Sequence, residues 1–286
     1  MDNQVIIPVK DFDPKQIFEC GQCFRWNQTA ENTYVGVAKG KALKVSMTDG
    51  CAKLENTTQR EFDLLWKDYF DLQTDYGRIK EILSDGGVMK RAADYGSGIR
   101  ILRQDPWETL VSFIISSNNN IPRIKKIIEI FCRMFGKPFH AFGENFYTFP
   151  DASRLEHAEA GDLALLNAGY RDRYILDAVD KVNSGEINLT ELARMEYRQA
   201  KDELMKIKGV GPKVADCVAL FGLGKSEAFP VDVWVRRVLH MLYHKEYSPA
   251  QAAAFAESKF GKYAGVAQQY LFYYMRENAP AIESAG

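Results

Sequence analysis

Three side chains of this sequence have types and spacing suited to covalent chemistry. Lys213 opens the helical run of "KGVGPKVADCVALF", Cys217 stands four residues on, and Asp232 follows in "AFPVDVWVRRVLHMLY". A lysine attacks as its uncharged amine. The dipole at a helix N-terminus disfavours a cation, so Lys213 is misplaced there as a plain surface charge and well placed as a nucleophile. An ionised carboxylate steadies a developing cation, which is the part Asp232 would take. A plainer account also holds for both residues. Lys213 pairs with Asp216 at i+3 on a solvated face, and Asp232 does no more than cap a helix.

The elements that must position these groups are legible around them. Gly209 and Gly211 supply a tight turn between two helices and let the backbone come close to a partner. Pro212 fixes the first helical residue, and Val214, Val218 and Phe221 form the buried stripe. The free N–H groups of such a helix start make an anion site, suited to a DNA phosphate. Asp232 reads as the N-cap of a helix whose stripe is Val235, Val238, Leu239 and Leu242. The segment "RIKKIIEIFCRMFGK" carries five Arg or Lys against one Glu. That is either a basic contact face or an ordinary solvated one.

The whole chain, 286 residues with 46% hydrophobic and 26% charged residues, has room for one large domain or two ordinary ones. A formal net charge of -1 gives no global attraction to nucleic acid, so local clusters must supply it. No apolar run reaches the ~20 residues of a membrane helix, and the start has no apolar leader. The five cysteines form no disulfide framework and suit a reducing compartment, and the absence of a basic import signal favours a prokaryotic cytoplasm, with the protein on the nucleoid, over a nucleus. Cys20-x-x-Cys23 lacks the companion ligands of a zinc site, so no metal is expected to bind side chains. "TYVGVA" and "KALKVSM" read as strands, with "NQTAEN" and "TDG" as turns. "TTQREFDLLWKDYF" and "DYGRIKEIL" read as helices, and the helical period dominates from Asp105 onward. There Asp105, Pro106 and Glu108 mark a helix start. The expectation is an α+β chain: an antiparallel β domain over residues 1–100 and an all-helical body over 101–286.

At this point the sequence resembles the helix-hairpin-helix DNA glycosylases, and among them the 8-oxoguanine DNA glycosylases. "GVGPKVADC" with "PVDV", "GQCFRW" at 21–26, "SSNNNIPRI" at 116–124, "GYRDRY" at 169–174 and "YAGVAQQYLF" at 263–272 match that family in order. The resemblance implies a TATA-binding-protein-like sheet domain followed by a helix-hairpin-helix glycosylase domain. It implies a bifunctional glycosylase and AP lyase that extrudes 8-oxoguanine opposite cytosine and excises it through a Lys213 Schiff base, then β-elimination, with Asp232 stabilising the sugar cation. The base pocket would be Gly21, Cys217, Gln268 and Phe272. Asn118 and Tyr170 would fill the gap in the duplex, and Arg123 and Arg171 would read the cytosine. Gly209, Gly211 and Trp234 would contact DNA. No cofactor is implied beyond a structural cation at the hairpin–phosphate contact, and the partner is duplex DNA bound by a monomer. Two positions depart from the animal members: Trp234 stands for a histidine and Phe221 for a methionine. Two rivals remain at this stage. One is a hydrolytic glycosylase for alkylated bases, which would need only Asp232, and the other is a non-catalytic DNA-binding module.

Overall fold

The computed structural model describes residues 3–84, 86–243 and 246–283, with the side chains of 233–234, 241–243 and 279–283 outside that description. The N-terminal lobe is a five-stranded antiparallel sheet of β1 (Gln4–Pro8), β2 (Trp26–Ala30), β3 (Thr33–Ala38), β4 (Lys41–Thr48) and β5 (Cys51–Glu55). The strands lie in the order β1-β5-β4-β3-β2. The helix Pro14–Glu19, capped by Asp13, packs on one face, with Phe18 stacked on Trp26 at 4.0 Å. Gly36 of β3 makes that packing feasible. A Cβ there would meet the Trp26 ring at 2.3 Å, so only glycine lets the indole lie across the strand.

The two strands expected from alternation are β3 and β4. The segment "NQTAEN" is a correction: Asn27–Ala30 belong to β2, and only Glu31 and Asn32 turn, Asn32 with φ +50°. β2 is the sheet edge, and its residues beyond Trp26 are exposed, so burial imposes no apolar alternation on them. The body is not purely helical either. A two-stranded hairpin, Pro138–Ala141 with Glu144–Tyr147, leaves it and lays Phe139, Ala141 and Phe146 against Val37 and Ala42 of the sheet.

Two apolar cores result. The sheet core gathers Val5, Phe18, Trp26, Tyr34, Val45, Leu54, Trp66 and Phe70. The helices Tyr76–Leu83 and Gly87–Tyr95 bury Tyr76, Ile79, Met89 and Ala92 in the helical core, while Leu102 returns to the sheet core. In the body, Asp105 caps the helix Pro106–Ser116 by accepting from the Trp107 and Glu108 amides. The Glu108 carboxylate turns away to Arg25 of the sheet lobe at 3.5 Å. Ile124, Ile127, Ile128 and Phe131 bury one face of the helix Ile121–Phe135. Lys125 of that helix reaches the Trp26 carbonyl at 2.6 Å, so part of the basic segment ties the lobes together.

Candidate active site

The turn before Lys213 is held on both sides. Gly209 has φ +81°, and a Cβ on it would lie 2.1 Å from the Tyr174 ring, so both its backbone angle and its surroundings demand glycine. Asp177 accepts from the Lys208 amide at 2.8 Å. Gly211 is the N-cap of the helix Pro212–Phe221, in extended conformation and exposed. Gly209→Ala is expected to cost about 2–4 kcal/mol, from the strained angle plus displacement of Tyr174. The checks are a lowered thermal midpoint and weaker binding to undamaged duplex.

Lys213 lies half-buried one residue into this helix, its Nζ 5.5 Å from the centre of the Phe113 ring. It does not pair with Asp216, as the plainer account required. That carboxylate is buried and accepts from Tyr197 Oη at 2.6 Å and Lys201 Nζ at 2.9 Å. Lys213 instead lies beside Cys217, one turn on, whose thiol feels its charge. Burial pushes that thiol up to about 11 despite the lysine beside it.

Asp232 caps the helix Val233–Tyr243, accepting from the Val235 amide at 2.7 Å. The same carboxylate acts electrostatically on Cys217, the neighbour of Lys213. Amine and carboxylate therefore share one pocket, closed by Gly21, Cys217, Phe221, Gln268 and Phe272. Its free volume is about 40 Å³. At ~10–15 Å³ per water this holds a few waters and no purine. Phe221 is buried and stacks on Phe113 at 5.4 Å, making it a rigid wall.

Gly21 comes from the sheet lobe, in a turn with φ +84°. A Cβ there would lie 3.3 Å from the Phe272 ring, so the glycine backbone and Phe272 face each other across the pocket. The next residue fastens this turn. Gln22 is fully buried, donates to the Ile17 and Arg100 carbonyls and accepts from the Leu102 amide. Across the pocket, Gln268 is 4% exposed, and its Oε1 is buried without a hydrogen-bond partner.

Outside lies a cleft of about 1000 Å³ that runs from Asn118 past Gly209, Gly211, Lys213 and Asp232 to Arg236 and Arg276. Asn118 is exposed, with φ +50°, at a loop tip. Arg171 braces that loop, donating to Ser117 O at 2.9 Å, Asn118 O at 3.0 Å and Ala168 O at 2.8 Å. Tyr170, half exposed, lies 4.6 Å from the Arg171 guanidinium. Arg123 is exposed and reaches the Asn167 carbonyl, three residues before Tyr170, at 3.0 Å. The structure thus brings Asn118, Arg123, Tyr170 and Arg171 near one another on two adjoining loops, with Asn118 on the cleft and Arg171 buried beneath. The Trp234 side chain lies outside the described residues. Sequence reasoning missed Gln22, Phe113, Arg236 and Arg276. Arg236, four residues after the Asp232 cap, carried the clearest signal, a cation in the first turn of a helix already placed at the site.

Cys20 and Cys23 donate to the Ile17 and Phe18 carbonyls, and burial pushes Cys20 up to about 12 and Cys23 well above its usual range. No group of three or more His, Cys, Asp or Glu among the described residues is arranged to hold a metal. Iodoacetamide at pH 8 is expected to label Cys51, which is partly exposed, well before the four buried thiols. Peptide mapping of the alkylated native protein reads this directly.

Residues 4–110 match the family described as 8-oxoguanine DNA glycosylase, N-terminal domain, and residues 111–261 match the HhH-GPD superfamily of base excision DNA repair proteins. The N-glycosylase/DNA lyase OGG1 of Arabidopsis thaliana is 32% identical over 89% of this chain and 75% of that protein. MBOgg1, solved with a low affinity DNA ligand, superposes with a TM-score of 0.95 at 47% identity, over 98% of this chain and 97% of that one. The Clostridium acetobutylicum 8-oxoguanine glycosylase/lyase, solved with double-stranded DNA containing cytosine opposite 8-oxoG, gives a TM-score of 0.95 at 43% identity, with the same coverage. Among the described residues, no helix is long and apolar enough to cross a membrane.

Proposed function

Because this chain belongs to the 8-oxoguanine DNA glycosylase family, within the HhH-GPD base excision repair superfamily, we propose that it excises 8-oxoguanine paired with cytosine and then cleaves the strand through Lys213. The observation that carries the reading is the shared pocket of an amine, a carboxylate and an unpartnered buried amide: Lys213, Asp232 and Gln268. Extruding the base costs a few kcal/mol, which Asn118 and Tyr170 offset by occupying the gap and Arg123 and Arg171 by contacting the cytosine left behind. Arg171 acts from a fixed plane, since its Nε, Nη1 and Nη2 already donate to loop carbonyls.

The empty pocket is smaller than a purine, so the incoming base must displace Phe272 from the Gly21 turn. It then lies between Phe272 and Cys217, with the Gly21 carbonyl toward N7 and the Gln268 amide toward the Watson–Crick edge. Guanine has an acceptor at N7, and 8-oxoguanine has an N–H donor there. A carbonyl facing the wrong base would leave two acceptors opposed.

Lys213 Nζ attacks C1′ as the N-glycosidic bond breaks, and the base leaves with the bonding pair and gains a proton. Asp232 stabilises the positive charge that builds on the sugar. Loss of a nitrogen proton and opening of the ring give an iminium between Nζ and C1′. Removal of a C2′ proton then expels the 3′ phosphate with its bonding pair. The hairpin turn and its helix N-terminus hold a backbone phosphate. A structural cation at that contact would rest on main-chain carbonyls, because Asp177, the carboxylate that reaches the turn, is committed to Lys208.

A water-using glycosylase for alkylated bases would have no use for an amine in this pocket. The deciding experiment incubates the protein with duplexes carrying 8-oxoguanine opposite each of the four bases, with and without borohydride. Fastest excision opposite cytosine and a trapped covalent adduct are expected. Excision without any adduct would sink the lysine route, and no excision from any duplex would sink the whole reading.

A further inference from the structure

Next to Gln268 on the C-terminal helix stands Gln269, which plays no part in the reading above. It is 3% exposed and lines the same pocket. Its Oε1, like that of Gln268, is buried without a hydrogen-bond partner. A buried amide oxygen left unpaired is costly, and at a pocket wall a bound ligand is one way to relieve that cost. Two adjacent side chains bear this cost at one pocket. Apolar residues of similar size would fill the same space without it. The pair therefore points to a ligand edge that offers several N–H donors side by side.

Guanine-derived bases present such an edge. N1–H and the nearer hydrogen of the exocyclic amine point the same way, so one amide oxygen can accept from both. The outer amine hydrogen points away and needs a second acceptor. Adenine-derived bases have an acceptor at N1 and so oppose it to an amide oxygen. We propose that Gln269 is a specificity-determining residue that accepts from the outer N–H of the exocyclic amine of the extruded base, while Gln268 takes the inner pair. This rests on the excision reading above and deepens it. The chain selects the guanine skeleton through two carbonyl acceptors, separately from its selection of the oxidised position.

The test pairs enzyme variants with a substrate that lacks only the group in question. Wild-type protein, Gln269→Met and Gln269→Asn are assayed under single turnover on duplexes carrying 8-oxoguanine or 8-oxoinosine, which has no exocyclic amine. Methionine keeps the volume without the acceptor, and asparagine withdraws the amide by one methylene. Wild type is expected to process 8-oxoguanine about tenfold or more faster than 8-oxoinosine, as one buried hydrogen bond is worth. Both variants are expected to lose several-fold on 8-oxoguanine and little on 8-oxoinosine, so that the preference shrinks to the share held by Gln268. Equal losses on both substrates, with the preference intact, would mean that Gln269 only packs and would overturn the proposal. If Gln269→Met fails to fold, Gln269→Asn carries the same comparison. Wild-type excision of 8-oxoguanine in the same series separates the two claims: its absence defeats the excision reading, and its presence with an unchanged preference defeats only this one.

Discussion

Lys213→Gln is expected to stop strand cleavage and borohydride trapping altogether and to reduce base excision at least about a thousandfold, while the protein still folds and binds DNA. An amide nitrogen cannot form the iminium, so no adduct can survive reduction. Folding should not suffer. Lys213 is half-buried and partners no carboxylate of its own helix, because Asp216 is held by Tyr197 and Lys201. Removing a cation from a helix N-terminus should stabilise the protein by about 0.3–1 kcal/mol at low salt. A raised thermal midpoint together with lost turnover would mark a residue retained for chemistry at the expense of stability. The measurement is a melting curve beside a trapping gel on the same preparation. A trapped adduct in the variant would move the nucleophile elsewhere.

Asp232→Asn separates two roles that sequence alone leaves superposed. Asparagine caps a helix about as well as aspartate, so the bond from the Val235 amide, 2.7 Å in this structure, should persist. The negative charge beside the pocket does not persist. Base excision is expected to fall about 10²–10³-fold, the usual loss when one group that stabilises a charged transition state is removed. Stability should change by only a few tenths of a kcal/mol, whereas Asp232→Ala should lose about 1 kcal/mol more through the missing cap. Single-turnover excision and thermal melting on the two variants read both quantities. Full activity in the asparagine variant would restrict Asp232 to capping.

What the sequence disclosed followed from how local each signal is. Asp105, Pro106, Gly211, Pro212 and Asp232 act within one helical turn, and each stands where its spacing places it. Buried stripes such as Val214 and Val218 are also local patterns. Edge strand β2 was misread because its outward residues have nothing to bury against. The body's hairpin was missed because Phe139 and Phe146 answer to a sheet about a hundred residues earlier in the chain. Asp216 is the instructive case. Helical spacing offered it to Lys213, but Lys201 and Tyr197 on the preceding segment reach it first. The clasp by Gln22 and the brace by Arg171 rest on main-chain carbonyls far away in sequence, which no side-chain pattern encodes. The base-pocket residues were named through resemblance, since Phe272 by itself reads as core and Gln268 as an ordinary helical glutamine.

The Gln22 clasp has a consequence for how this scaffold can be altered. Lys213 and Asp232 belong to the helical body, while the Gly21 wall is a graft from the sheet lobe, fastened through buried Gln22 to the irregular segment at Arg100 and Leu102 that leads into that body. On the roles proposed above, only the reading of the oxidised position is mechanically separable from the reaction. A designer could rebuild the loop around Gly21 to admit a different lesion and leave the lyase untouched, provided position 22 keeps its amide.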